Sequence, residues 1–217
     1  MILLTWNLNC RTNNIKQQLD AISKYKADVL AFQEVTMWSL DKLKEYLKEM
    51  GYENILDSFS LSKEEKKLTG KRKYGQIIAS KYILKKRSPE KFDVPWRERI
   101  LSANIITDIG KIEIHNVHIP PGISNGWIKI EMFEGIYKHL AVKINKLRIL
   151  CGDFNSPQSE RKGKITTWGQ RTDGRKPVSK DDIRWDEGER NVLEKLRNMI
   201  WKTFTEWIIK TKEDLVL

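Results

Sequence analysis

The chain has 217 residues, 40% of them apolar, which suits one large domain or two small ones with a sizeable core. No apolar run approaches the length needed to cross a bilayer, so a membrane-spanning fold is excluded at this level. The 40 Lys and Arg against 29 Asp and Glu give a formal charge of +11, a balance that favours polyanions such as nucleic acid, phosphates or acidic lipid headgroups.

Met1-Ile2-Leu3-Leu4-Thr5-Trp6 has no charged leading segment, and its apolar run is too short for a signal peptide. Ile2 to Thr5 reads instead as a strand buried on both faces, ending in Trp6-Asn7-Leu8-Asn9. Asn13 and Asn14 are cap candidates for a helix whose apolar stripe is Ile15, Leu19, Ile22 and Tyr25. Val29 to Phe32 is a second buried strand, ending in Gln33-Glu34. Ser39 to Met50 is predicted as a second helix with Leu40, Leu43 and Leu47 on one face, stopped by Gly51. This opening of strand, helix, strand, helix predicts an α/β layered fold.

Strands then dominate: Tyr52 to Leu56, Gly75 to Ser80, Arg99 to Thr107 and Lys111 to His118, with Asp108-Ile109-Gly110 as a hairpin turn between the last two. Trp127 to Ile144 has helical periodicity, and Leu147 to Leu150 is a short buried strand running into Cys151-Gly152-Asp153-Phe154-Asn155. Ser156 to Asp186 has no clear period and predicts a long loop, either functional or disordered. Glu187 to Met199 is predicted as a helix, and no linker divides residues 1–217 into separate domains. Cys10 and Cys151 lack the Cys-x-x-Cys spacing of a thiolate zinc site, and no disulfide scaffold is expected. Both read as inert free thiols in a reducing cytoplasm.

The positive charge is uneven. Between Lys63 and Arg87 there are ten basic and two acidic residues, so Lys71, Arg72 and Lys73 are candidate phosphate contacts. The plain alternative is a solvated, lysine-rich loop. Trp168 and Trp185 fall in the long loop, where an indole either stacks on a base or packs locally.

Polar residues recur at the ends of predicted buried strands: Asn7, Glu34, His118, and Asp153 with Asn155. Strands of one sheet bring such ends together, and ligands bind there. Two carboxylates, carboxamides and an imidazole without cysteine form a hard donor set that suits Mg²⁺ or Mn²⁺ better than Zn²⁺. Such an ion typically works on phosphate esters. His115 lies at odd spacing from His118 and so faces the other side of its strand, while His139 reads as a helix packing or surface residue.

The motifs Thr5-Trp6-Asn7, Phe32-Gln33-Glu34, Tyr74-Gly75-Gln76-Ile77-Ile78-Ala79-Ser80, Asn116-Val117-His118-Ile119-Pro120 and Gly152-Asp153-Phe154-Asn155 follow one another over about the first 155 residues. In that order they resemble the endonuclease/exonuclease/phosphatase superfamily, which includes DNase-I-like and exonuclease-III-like enzymes, sphingomyelinases and inositol phosphatases. The resemblance implies a four-layered α/β sandwich of two mixed sheets with helices outside. By the same resemblance Glu34 is the metal-binding glutamate and Asn7 stands beside metal and phosphate. Asp153 handles the attacking water and shares the metal with Glu34, and Asn155 orients that water. His118 takes a position that is histidine in DNase-I-like and sphingomyelinase-like members and tyrosine in exonuclease-III-like ones. Arg99 matches the neighbourhood of a phosphate-contacting arginine; the alternative is a surface ion pair with Glu98 or another neighbour.

The resemblance also implies a final strand carrying Asp-His. No histidine follows His139, and Met199 to Trp207 fits no strand of the family, so the C-terminal strands of the second sheet are expected to be absent. A truncated or frame-shifted product, a non-catalytic relative, and a second chain supplying the missing part all remain open. The expected function is a metal-dependent phosphodiesterase acting on nucleic acid. The alternatives are a phosphatase or phosphodiesterase of lipid headgroups or small esters, and a catalytically impaired binding protein on the same scaffold. No obligate protein partner is expected.

Overall fold

A computed structural model describes residues 1–10, 13–61, 70, 73–88, 91–144, 146–156, 172–173, 176–177 and 182–196. Four strands, β1 (Leu3–Asn7), β2 (Val29–Val35), β3 (Asn54–Asp57) and β4 (Gly75–Ser80), form one sheet in the order β1-β2-β4-β3. Another four, β5 (Ile83–Arg87), β6 (Ile100–Thr107), β7 (Gly110–His118) and β8 (Leu147–Asp153), form a second in the order β5-β6-β7-β8. Each sheet is mixed: β1–β2 and β7–β8 are parallel pairs, and the remaining pairs are antiparallel.

The alternation of side chains along the strands builds the layers. Leu3, Val29, Ala31 and Ile78 of the first sheet meet Leu101, Ala103, Ile105, Ile112 and Ile114 of the second in one buried cluster between the sheets. The other face of the first sheet, with Leu4, Trp6, Leu30, Phe32, Ile77 and Ala79, is covered by α1 (Ile15–Ser23) and α2 (Met37–Glu49). Short α3 (Ser58–Leu61) and α4 (Gly122–Asn125) follow β3 and β7. The outer face of the second sheet packs on α5 (Ile128–Leu140) through Ile100, Val117, Met132, Phe133 and Ile136. The result is the four-layered α/β sandwich. No helix among the described residues is long and apolar enough to cross a membrane.

Several boundaries differ from the sequence reading. Helix α2 begins at Met37, because Thr36 takes the cap and Ser39 serves as its third residue, each side chain bonding the other's backbone N–H. Asn14 occupies the cap position of α1 without a side-chain cap bond. Strand β5 was not anticipated: its Lys85-Lys86-Arg87 reads as loop, yet basic residues are what protects an exposed sheet edge. The stretch Ser156 to Asp186 is not uniformly irregular. It holds a short antiparallel pair, β9 (Thr172–Asp173) with β10 (Lys176–Pro177), and the start of α6 (Ile183–Arg190), whose cap Asp182 accepts from Trp185 N. A π-helical turn, Asn191–Leu196, continues α6 and adds Val192 and Leu196 to the outer core.

The basic stretch is not one surface. It is interrupted by the fully buried β4. Lys81 lies 3.8 Å from Asp28 at the far end of the first sheet, and Arg87 pairs with Glu113 at 3.0 Å. Lys71 and Arg72 lie outside the described residues.

Glu113 and His115 lie on the helix-facing side of β7. His115 bonds Ser102 Oγ through Nδ1 (2.7 Å) and Glu113 Oε1 through Nε2 (2.8 Å). His139 of α5 packs on Phe92 with ring centroids 4.2 Å apart. Potential ligand atoms of Glu113, His115 and His139 lie within 4.8 Å of one another. Arg87 and Arg148 already pair with that carboxylate, however, and two guanidinium groups oppose a cation there.

Burial alone raises the Glu113 carboxyl, but the hydrogen bond from His115 and the charges of Arg87 and Arg148 outweigh it and hold it at about 2, against a usual 4.5. Burial pushes His115 down from 6.5, so it stays neutral. Both groups bind protons more readily in the unfolded chain. Stability is therefore complete above about pH 6.5 and falls with acidification, first through His115 and below 4.5 through Glu113. The carboxylate accounts for on the order of 3 kcal/mol. Urea unfolding across this pH range should show Glu113→Gln less stable at neutral pH, with its curve converging on the unmutated one in acid. Parallel curves would exclude Glu113 as the source of the slope.

Candidate active site

The C-terminal ends of β1, β2, β7 and β8 come to one edge of the sandwich. Asn7 leaves β1 on the inter-sheet face. Its Nδ2 donates to Glu34 Oε1 (3.0 Å) and to Asp153 Oδ2 (2.6 Å), and its Oδ1 accepts from Asn9 N (2.8 Å). The amide is thereby fixed with its NH₂, rather than its oxygen, toward the carboxylates.

Simple alternation would send Glu34 outward with Leu30 and Phe32. A register shift between Phe32 and Val35, with Glu34 itself at φ 54°, turns its side chain to the site instead. Asn9, Cys10 and Asn155 share this left-handed backbone, at φ 51°, 54° and 47°. Each such residue costs of order 1–3 kcal/mol, and such strain gathers at functional sites.

Asp153 ends β8 opposite His118 in the parallel register. Its Oδ1 accepts from Asn155 N (2.9 Å), and Asn155 Nδ2 donates to Ile119 O (2.7 Å). Gly152 precedes it at φ 131°, where a Cβ would sit 1.9 Å from Val117 O, so only glycine lets β8 approach β7 there. Ligand atoms of Glu34, His118 and Asp153 all lie within 4.8 Å of one another. Two carboxylates facing each other across a single amide NH₂ fit a divalent cation, with Glu34 and Asp153 as the residues that would hold it.

His118 is 5% exposed, and its Nδ1 is 2.6 Å from Arg99 Nη1. Arginine only donates, so Nδ1 accepts and the ring proton sits on Nε2, which is 3.6 Å from Glu34 Oε1. Burial, then the Arg99 charge, push this imidazole down to about 4 against the pull of Asp153 and Glu34. It is a neutral donor aimed into the site. Arg99 is 4% exposed in a 3₁₀ turn, Arg97–Arg99, with its guanidinium against Trp96, so it is an interior residue and not a surface one.

Residues 33 and 116 of the motifs have their own task. Gln33 Nε2 donates to Thr5 Oγ1 and Asn116 Oδ1, while Asn116 Nδ2 donates to Phe32 O and Ile77 O. This fully buried amide pair ties the two sheets together directly beneath the site. Sequence reading gave these two no role. Their presence in motifs ending at site residues was the available signal.

Cys10 Sγ is 3.2 Å from Glu34 Oε2; burial and that hydrogen bond push the thiol up to about 11. Burial pushes Cys151 to about 12. Neither is a thiolate at neutral pH. Tyr74 bonds Cys10, and Lys73 lies over the Tyr74 ring at 5.2 Å, which brings this one candidate phosphate contact to the rim. Trp185 does not reach the rim. It is 1% exposed, edge-on to Trp127 at 5.3 Å and packed on Gly122, so no base can stack on it. Trp168 lies outside the described residues, as does Met199 to Trp207.

The fold is similar to that of an AP endonuclease from Archaeoglobus fulgidus (TM-score 0.52, 18% identity, 73% of this chain and 59% of that one). It is also similar to the 3'-5' exonuclease NExo from Neisseria meningitidis (0.51, 18%, 72% and 59%) and to D. rerio TDP2 complexed with a single-strand DNA product (0.54, 14%, 71% and 60%). The chain thus spans about three fifths of the length of these proteins. No curated protein matches the sequence. The sequence itself, from the motif that carries Asn7 past the one that carries Asp153, matches a single family description over residues 4–180, and the chain belongs to the Endonuclease/Exonuclease/phosphatase family.

Proposed function

We propose that this chain is a divalent-metal-dependent phosphoesterase that cleaves phosphodiester bonds in nucleic acid. The observation that carries the reading is the convergence of Glu34, Asp153 and His118 within 4.8 Å, framed by Asn7 and Asn155. Because His118 Nε2 bears a proton, the ligand set reduces to the two carboxylates, the pattern typical of Mg²⁺, with Mn²⁺ as its nearest substitute. The bound ion supplies charge neutralisation on the phosphoryl oxygens. Asp153 Oδ2 takes the proton of the attacking water, and the Asn155 amide, held at Ile119 O, orients that water. His118 Nε2–H donates to a phosphoryl oxygen as charge builds there.

Nucleic acid is favoured as substrate by the +11 charge and by Lys73 at the rim. The single-strand DNA product bound by D. rerio TDP2 is an observation on that protein and is consistent with this class. Lipid headgroups and small phosphate esters would use the same chemistry. One observation favours a catalytically impaired binding protein instead: of the three histidines, His115 and His139 face away from the site, so the chain brings a single imidazole to it.

The test is turnover of bis(4-nitrophenyl) phosphate and of single-stranded, nicked and abasic duplex DNA with Mg²⁺ or Mn²⁺. The expected result is hydrolysis that EDTA stops and in which DNA is preferred. Failure to hydrolyse any phosphoester with either ion would overturn the enzyme reading. Preference for a headgroup ester would replace only the substrate.

A further inference from the structure

Tryptophan is among the most buried residues on average, yet Trp38 is 94% exposed. It stands in the first turn of α2, four residues beyond Glu34. Helix α2 starts directly after β2 ends at the site, and four residues span at most about 14 Å, which bounds the distance from the Trp38 backbone to that of Glu34. Its backbone is fixed by the reciprocal bonds of Thr36 and Ser39. Met37 beside it is 55% exposed, and Ile123 occupies the corresponding place beyond β7, also at 55%.

We propose that Trp38 is a stacking platform for a nucleobase a few nucleotides from the scissile phosphate, and thereby a determinant of nucleic-acid substrates. The inference rests on the phosphodiesterase reading of the neighbouring site for its register on the strand. Every base offers a π-face, and a rigidly based, solvent-facing indole receives one without sequence preference. A lipid surface fits less well. The next residues on that face of the helix, Asp41 and Lys42, are exposed and charged, so the indole is not part of a continuous apolar patch that would enter a bilayer. The phosphates on either side of a stacked base would meet the basic residues of the rim, of which Lys73 is the described one.

The experiment measures binding of the full chain in EDTA, so that no hydrolysis intervenes, to oligothymidylate and to an abasic strand of the same length. Trp38→Ala should weaken oligothymidylate binding roughly 5- to 150-fold, with Trp38→Phe retaining most of the affinity. On the abasic strand Trp38→Ala should change little, because base and indole removal report one interaction and are not additive. Ile109→Ala, an exposed apolar residue on the distant β6–β7 turn, should leave both affinities unchanged. Equal losses on the two strands, or no loss on either, would overturn the proposal. So would an oligothymidylate-independent loss of binding to phosphatidylcholine–phosphatidylserine vesicles, which would assign the indole to a lipid surface. Turnover of bis(4-nitrophenyl) phosphate by the unmutated chain, a substrate without a base, tests the phosphodiesterase reading separately. Hydrolysis without a Trp38 effect defeats only the stacking platform; a Trp38 effect without hydrolysis defeats only the enzyme.

Discussion

Asp153→Asn is expected to lower phosphodiester turnover roughly 10²–10⁴-fold, the range for removing one positioned acid–base group. The carboxylate accepts on both oxygens, from Asn155 N on Oδ1 and from Asn7 Nδ2 on Oδ2. An amide has one oxygen. If it faces Asn155, its NH₂ meets the Asn7 NH₂; if it turns, the Asn155 backbone bond is lost. Either way the proton acceptor and one anionic ligand disappear together. Stability should change little, because relief of the repulsion between Asp153 and Glu34, whose ligand atoms lie within 4.8 Å, offsets the lost hydrogen bond. Mg²⁺ at 100 times its dissociation constant should stabilise the unmutated chain by about 2.7 kcal/mol and the variant far less. Kinetics and thermal unfolding, each with and without Mg²⁺, give both readouts. A variant with more than half the normal turnover would remove Asp153 from the reaction.

Strands buried on both faces were legible, because β2 and β4 each hold consecutive apolar residues, Val29 to Phe32 and Ile77 to Ala79, in runs of strand length. Edge strand β5 was not, since lysines protecting an edge and lysines in a loop are alike in one dimension. Helix α6 was displaced for a different reason. Its buried residues are Trp185, Gly188 and Glu189, so the inward face has no apolar stripe to detect. The partner that makes Glu189 an interior residue is Lys129, sixty positions earlier in the chain.

The site divides in the same way. Asn7, Glu34, His118, Asp153 and Asn155 stand at strand ends, where pattern reading looks. The contact of Arg99 with His118 was within reach: Thr107 pairs with Gly110, and eight steps back along that register Arg99 stands opposite His118. The bulge that turns Glu34 inward, and the Gln33–Asn116 tie between the sheets, depend on residues more than 40 positions apart or on backbone angles that no local spacing encodes.

The second large effect concerns the buried pair Lys129–Glu189, which joins α5 to α6. Both side chains are fully buried, and Glu189 Oε1 also accepts from Ser156 Oγ at 2.8 Å. Ser156 follows Asn155 directly, so the pair anchors the chain where it leaves the site. Removing one partner leaves an uncompensated charge in the interior, at a cost of about 3–5 kcal/mol. For a domain of this size that lowers the melting temperature by on the order of 10 °C. Glu189→Ala and Lys129→Met should each show it. The double variant Lys129→Met/Glu189→Met should recover much of the loss, because apolar side chains of similar volume replace a pair whose desolvation offsets most of its attraction. Ser156→Ala, which removes only the hydrogen bond from a neutral hydroxyl to the same carboxylate, should cost about 1–3 kcal/mol and leave the ion pair in place. If the two single losses add in the double variant, the charges are not coupled, and the anchoring of the site by α6 must come from Trp185 and its apolar neighbours instead.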